Sequence, residues 1–199
     1  LNLETLELLP HVPEANFTNI TRARFVKNAK PPGSFLRALF YLVALPRGTQ
    51  PYGKSENAKR MRYFRRVCSI AFSGEILENI FVILSGLGAT GKSTFMELLS
   101  YIFGSYSTKI SVKSLSGRSA ALNDLARLKG KRLVTIAETD EDMNLNAATV
   151  KSLTGGDEQT ARFLYKEFFQ FNPEATFILH TNAEPNIADR SYGMWRRIK

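Results

Sequence analysis

The sequence predicts an α/β protein in which a parallel central sheet is covered by helices and preceded by a mainly helical segment. Three observations carry that expectation. Continuous apolar, β-branched runs recur at Ile80–Leu84, Leu133–Ala137 and Thr176–His180, as expected of strands buried on both faces. Stretches with helical spacing separate them, and strands alternating with helices build parallel sheets. Pro10, Pro13, Pro31, Pro32, Pro46 and Pro51 all lie in the first third of the chain. We therefore read residues 1–74 as a mainly helical N-terminal domain and 75–199 as the core, with Ser73-Gly74 at the boundary.

Within the helical part, Phe35, Leu36, Leu39, Phe40, Leu42 and Val43 form an amphipathic stripe that belongs in a core. Ser55–Phe72 reads as a helix with Lys59, Arg60, Arg62, Arg65 and Arg66 on one side. Met61, Phe64, Val67, Cys68 and Ala71 fall on the other side. The cations can meet nucleic-acid phosphates or form a solvated face, and the sequence leaves both open. In the core, the first strand runs into a helix over Thr94–Phe103, where Phe95, Leu98, Leu99 and Ile102 share a face and Gly104 closes the segment. A short strand at Lys109–Val112 and a helix over Ser119–Leu128, ended by Gly130, precede the second long strand. A helix over Asn144–Leu153 with Gly155-Gly156 past its end leads toward the third.

The turn between the first strand and its helix has the order Gly86-x-x-x-x-Gly91-Lys92-Ser93. That is the phosphate-binding P-loop pattern, in the strand–turn–helix context the chemistry requires. Backbone N–H groups from Gly86 through Gly88, Ala89, Thr90, Gly91 and on to Thr94 can wrap phosphates, aided by the helix N-terminus. Lys92 can reach the β- and γ-phosphates, and the Ser93 hydroxyl can ligate Mg²⁺, so ATP and Mg²⁺ are the expected ligands. Hydrolysis needs carboxylates at the end of a neighbouring strand. The strand Leu133–Ala137 ends in Glu138-Thr-Asp140-Glu141, with Glu138 the first candidate and Asp140 the second. The strand Thr176–His180 runs into Asn182, an amide that can sense the γ-phosphate or orient water. His180 lies inside that strand and reads as packed.

The formal net charge of +9 argues for a polyanionic partner beyond the nucleotide. A single cysteine, Cys68, rules out an internal disulfide framework and fits a reducing, intracellular setting. Two histidines without ligand spacing argue against a metal site built from side chains alone. No apolar stretch is long enough for a bilayer, so no membrane partner is expected. The sequence opens at Leu1 and stops at Lys199 as a new apolar-basic segment begins, so we expect an excerpt of a longer chain.

The ordered set of strand and P-loop, Arg132-Leu-Val-Thr-Ile-Ala-Glu138, Leu153-Thr-Gly-Gly-Asp157-x-x-Thr160-Ala-Arg162, His180-Thr-Asn182 and Trp195-Arg196-Arg197-Ile198 resembles the superfamily 3 helicases. The likeness is to the phage, plasmid and poxvirus type of primase-helicase and covers most of the chain. It implies an AAA+-like core that assembles as a ring, usually a hexamer, with ATP sites between subunits. Glu138 matches the acidic Walker B position, although Thr139 separates it from Asp140 where the family often has an acidic pair. Thr160 to Asn172 matches the DNA-tracking hairpin, which implies single-stranded DNA contacts from Arg162, Tyr165 and Lys166. Arg196 matches the arginine finger that reaches a neighbouring subunit's site, with Arg197 the adjacent candidate. A nucleotide-switched DNA-binding module without unwinding, or a small-molecule P-loop kinase, would use the same loop. The resemblance favours a replication helicase working inside the cell, in the host cytoplasm for a phage, plasmid or poxvirus-like replicon.

Overall fold

The structure is a computed structural model and describes residues 5, 7–10, 12, 14, 18–30, 32–44, 54–115, 122–137 and 144–199. Its helices are α1 (Gly33–Ala44), α2 (Lys54–Ser73), α3 (Lys92–Phe103), α4 (Leu122–Ala126), α5 (Ala147–Gly155) and α6 (Tyr192–Trp195). Its strands are β1 (Phe81–Ser85), β2 (Ser107–Ser111), β3 (Leu133–Ala137), β4 (Gln159–Ala161), β5 (Phe169–Phe171) and β6 (Thr176–Thr181).

Four strands form one parallel sheet in the order β1-β6-β3-β2. The last strand in sequence is thus inserted between two earlier ones, with Phe177 opposite both Phe81 and Val134. Residue chemistry explains the order. Phe177, Ile178 and Leu179 are fully buried, so β6 must have a neighbour on each edge and a layer on each face. β2, which carries Ser107, Thr108 and Lys109, takes the outer edge. On β1's outer edge the chain's last residues run alongside in parallel. Phe81 N–H donates to Arg197 O (2.8 Å), and Ile83 N–H donates to Lys199 O (2.8 Å).

Alternation along each strand divides the core between the two faces. Phe81, Val134, Ile136, Phe177 and Leu179 face one layer, with Leu115, Leu128, Val150, Leu153 and Met194. Ile80, Val82, Leu133 and Ile178 face the other, which α3 supplies with Phe95, Met96, Leu99 and Phe103. Leu39 of α1 and Phe64, Val67 and Ala71 of α2 join that second layer. The core is therefore shared across Gly74. Phe72 stacks on Phe103 with ring centroids 4.0 Å apart, and the Arg132 guanidinium donates to Phe72 O at 2.7 Å. Phe103, 1% exposed, contributes about 2–3 kcal/mol by burial alone. Burial also pushes the Cys68 thiol up to about 12, so it packs rather than reacts.

Several element boundaries differ from the sequence reading by a few residues, among them those of β2, α4 and α5. The short strand lies at Ser107–Ser111 rather than Lys109–Val112, because Val112 turns inward and opens a 3-10 turn over Val112–Leu115. The helix expected over Ser119–Leu128 is Leu122–Ala126, residues 119–121 lying outside the described set. The next helix starts at Ala147, since the Asn146 side chain caps it by accepting from Thr149 N–H at 3.0 Å. Asn144 instead bridges to Asn186. No helix among the described residues is long and apolar enough to cross a membrane.

One contact lies far from anything local in sequence. Residues 18–22 form a strap over the C-terminal end of α3. Arg22 N–H donates to Ile102 O (3.0 Å), and Ser105 N–H donates to Ile20 O (3.0 Å). The Asn19 amide reaches Gly130 O at 3.2 Å. Gly104, at φ +58°, makes this possible: a Cβ there would stand 2.4 Å from Ile20 O.

Candidate functional site

The loop between β1 and α3 is fixed at its base by Gly86 N–H, which donates to Thr181 O at the end of β6 (3.3 Å). Ala89 (φ 59°) and Gly91 (φ 84°) both take left-handed conformations, curling the chain around its own amides. For Ala89 that conformation costs energy, and such strain collects at functional loops. Gly91 is the N-cap of α3 but supplies no side-chain cap. The first N–H groups of the helix lack intrahelical partners, as in any helix, and face the loop with its positive dipole end.

Lys92 is 8% exposed. Its ammonium donates to Gly86 O (2.9 Å), Leu87 O (2.7 Å) and Thr90 Oγ1 (3.1 Å). Burial lowers its pKa from the ordinary lysine value. Thr90 Oγ1 in turn donates to Leu87 O at 3.1 Å, so the loop is self-bonded around the lysine. The donor set of backbone amides, one ammonium and the exposed Ser93 hydroxyl fits a polyphosphate with its bound cation.

A cleft of about 1480 Å³ opens beside this loop. Gly88, Ala89, Thr90, Gly91, Lys92, Ser93 and Thr94 line it, together with Ala137 at the end of β3 and Asn182 just past β6. Three parts of the chain that the sequence reading linked by chemistry thus meet in one cleft. Asn182 sits in a turn held by Thr181, whose hydroxyl accepts from Ala183 N–H (3.0 Å). Glu138 and Asp140 lie outside the described residues, immediately after Ala137. His180 lines the cleft half-buried rather than lying wholly packed. Burial first, then the charges of Lys109 and Lys92, lower its pKa, keeping the imidazole neutral at neutral pH.

The cleft also holds residues that sequence reasoning missed. Arg22, carried in by the strap, lies with its guanidinium carbon 5.1 Å from the Tyr101 ring centroid. Arg127 and Lys109 complete that side. No local pattern announces Arg22, because the contact that places it spans some eighty residues of chain.

The block Leu153-Thr-Gly-Gly-Asp157 now has a physical account. Gly156 (φ 76°) ends α5 in the left-handed conformation, its N–H and that of Asp157 both returning to Ser152 O. Asn172 donates to Gly156 O (2.8 Å), tying the cap to the far arm of the hairpin. Thr154 is buried, donates to Val150 O (2.7 Å) and accepts from Arg197 Nε (3.2 Å). Nearby, Lys151 donates to Asp189 Oδ2 (2.7 Å) and holds that carboxyl down at about 2.

β4 and β5 pair antiparallel, with Thr160 opposite Gln170. The turn between them carries Tyr165, fully exposed at φ 60°, beside exposed Lys166. The Arg162 guanidinium lies 4.7 Å from the Phe168 ring centroid. The hairpin tip is not part of the cleft around Lys92.

Arg197 is engaged by Thr154 and by Gly193 O. Arg196, at the C-cap of α6, is exposed. Both precede Ile198, which bridges to Phe81 at the start of β1. Gly86 lies five residues further along, about 16 Å at strand rise. Arg196 therefore stands at the opposite end of β1 from its own chain's loop. On α2, Arg60 pairs with Glu56 (3.1 Å) and Arg66 with Glu78 (3.0 Å), leaving Lys59, Arg62 and Arg65 on the exposed face.

Comparison with known proteins adds relatives to this geometry. The chain is 38% identical over 151 residues to a protein of Acanthamoeba polyphaga mimivirus named as a candidate helicase, L207/L206. It is 30% identical over 178 residues to a similarly named protein, 022R, of Frog virus 3 (isolate Goorha). These matches take in 73% and 85% of the chain but only 16% and 17% of the relatives, so the chain spans about one sixth of their length. Among solved structures, the apo NrS-1 C-terminal region (305–718) shares the fold, with a TM-score of 0.61 at 20% identity. That likeness covers 87% of this chain and 39% of the other. The family described as "Family of unknown function (DUF5906)" matches residues 84–197, from the end of β1 to Arg197, and the chain belongs to it.

Proposed function

We propose that this chain is the ATP-hydrolysing part of a superfamily 3-type DNA helicase that serves replication of a viral or plasmid genome inside the cell. The observation that carries the reading is the convergence of the Gly86–Ser93 loop, the end of β3 and Asn182 on one cleft. The viral relatives named as candidate helicases support the same role. In this reading the loop amides and Lys92 hold the β- and γ-phosphates, Lys92 exchanging its carbonyl partners for phosphate oxygens. The Ser93 hydroxyl with Glu138 or Asp140 would hold Mg²⁺, which would supply charge neutralisation when bound. Glu138 and Asn182 orient the attacking water, Glu138 taking its proton. Arg196 enters from a neighbouring copy in a ring, usually a hexamer, and stabilises charge on the transferred group. The hairpin grips single-stranded DNA through Arg162, Tyr165 and Lys166 and moves with the nucleotide state.

The test pairs two measurements on one preparation: ATP hydrolysis with and without single-stranded DNA, and displacement of a forked duplex. DNA-stimulated hydrolysis with strand displacement is expected. Stimulated hydrolysis without displacement would favour a nucleotide-switched DNA-binding module, and phosphate transfer to a small acceptor would favour a kinase. Absence of any hydrolysis overturns the reading.

A further inference from the structure

The cleft does not end at the edge strand. Thr108 and Arg127 line it and also line a second cavity of about 940 Å³, so the two adjoin across the β2 edge. The far wall of this second cavity is the hairpin, with Phe163 just past β4 and with Gln170 and Asn172 on its far arm. Its cations are Arg127, Lys129 and Lys131, and Glu174 is the single carboxylate among the described lining residues. On the near side Arg22 and Lys109 line the cleft, and Glu97 is the single carboxylate among the described lining residues.

Among the described residues these cations are poorly neutralised. Arg127 has Asp124 at 3.8 Å, a loose ion pair with its guanidinium half in solvent. The Lys129 ammonium lies 4.9 Å from the Phe169 ring centroid and is exposed. Lys131 donates to Ser105 O, and burial followed by the Arg127 charge lowers its pKa. Crowded positive charge in a concave site is relieved by an incoming polyanion, and concavity focuses the field that attracts one. Exposed Phe163 and the amides of Gln170 and Asn172 give the same cavity a rim suited to bases. An acidic peptide would use the charge but not the rings, whereas single strands use both.

We propose that this trough is a second nucleic-acid track, in which the backbone of single-stranded DNA beside the hairpin crosses the sheet edge past Lys129, Lys131 and Arg127. It rests on the single-strand reading above but not on the hairpin tip.

The test is binding of a labelled oligothymidylate of about 20 nucleotides, measured between about 50 and about 200 mM salt. The variants are Lys129→Gln with Lys131→Gln, Lys129→Arg with Lys131→Arg, and Lys166→Ala. The glutamine pair is expected to weaken binding about tenfold at low salt and to flatten the salt slope by about 1.4, at about 0.7 per lost phosphate contact. The arginine pair keeps both affinity and slope. Lys129→Gln alone, at an exposed position, serves if the pair fails to fold, with about half the change in slope. Wild-type affinity and slope in the glutamine variants, alongside weakened binding by Lys166→Ala, overturns the trough while leaving the single-strand reading intact. No binding by the parent protein at low salt overturns both. Unchanged affinity with an altered oligomeric mass makes the trough a protein interface instead, which also rejects the proposal.

Discussion

Lys92 shows what a single residue in this fold is asked to do. Its charge is nearly removed from water, yet it is held by three oxygens of its own loop. Removing the ammonium leaves those loop oxygens without their donor and, in the proposed site, would leave the triphosphate without a cation. Lys92→Ala is therefore expected to lower ATP turnover by at least about 100-fold, read by phosphate release; retained turnover would sink the site assignment. Gly104 makes the opposite point, since its value lies in having no side chain. Gly104→Ala places a methyl group 2.4 Å from Ile20 O at a positive φ. The expected cost is roughly 1–3 kcal/mol in urea unfolding, with the strap and Arg22 displaced. Residues differed in how legible they were. Gly86 to Ser93 could be read because the chemistry is local and the spacing fixed. Arg22 could not, because only the docking of the strap brings it to the cleft. The competing roles of Arg196 and Arg197 were also undecided, as nothing in the dipeptide tells which guanidinium Thr154 will hold.

Among the elements, the hairpin holds a run of large apolar side chains out in solvent. β4 and β5 have three residues each, and the turn beyond them presents Phe163, Leu164, Tyr165 and Phe168 to solvent. Apolar and aromatic side chains held out on a short ribbon are what a stacking platform needs. Lys166→Ala is expected to weaken binding of an oligothymidylate about 3- to 10-fold at low salt. Unchanged affinity there rejects the grip assigned to the tip. The long strands were legible as elements because each is an unbroken apolar run. The start of α5 was not, because a cap and a bridge set it. Asn146 stops α5 from extending back through Asn144, and no hydrophobic period encodes that. The Leu153–Asp157 block was legible as a pattern before it was legible as physics. Its glycines end α5, while Thr154 secures the arginine segment that runs beside β1.

For the whole molecule, the separation between Arg196 and the loop of the same chain is the decisive dimension. The backbone before Ile198 lies about 16 Å of strand from Gly86, so in the proposed site Arg196 would act on the loop of a neighbouring copy. Mixing Arg196→Ala with Lys92→Ala protein is expected to restore part of the hydrolysis that each lacks, because some interfaces then pair two intact halves. No recovery at any mixing ratio counts against action in trans. The helical part was expected as a separate domain, and its Leu39, Phe64, Val67 and Ala71 share one core cluster with α3 and the sheet. The order of the sheet has a consequence for how the protein comes into being. β1 and β3 must wait for β6, whose first residue emerges from the ribosome some ninety residues after β1 begins. Until then both strands carry bare edges toward an empty central lane, and their pairing contacts are all distant in sequence. The helices around α3 can gather early on one face of β1, but the sheet closes only once β6 has been made. The need for protection from aggregation is therefore greatest just before β6 arrives.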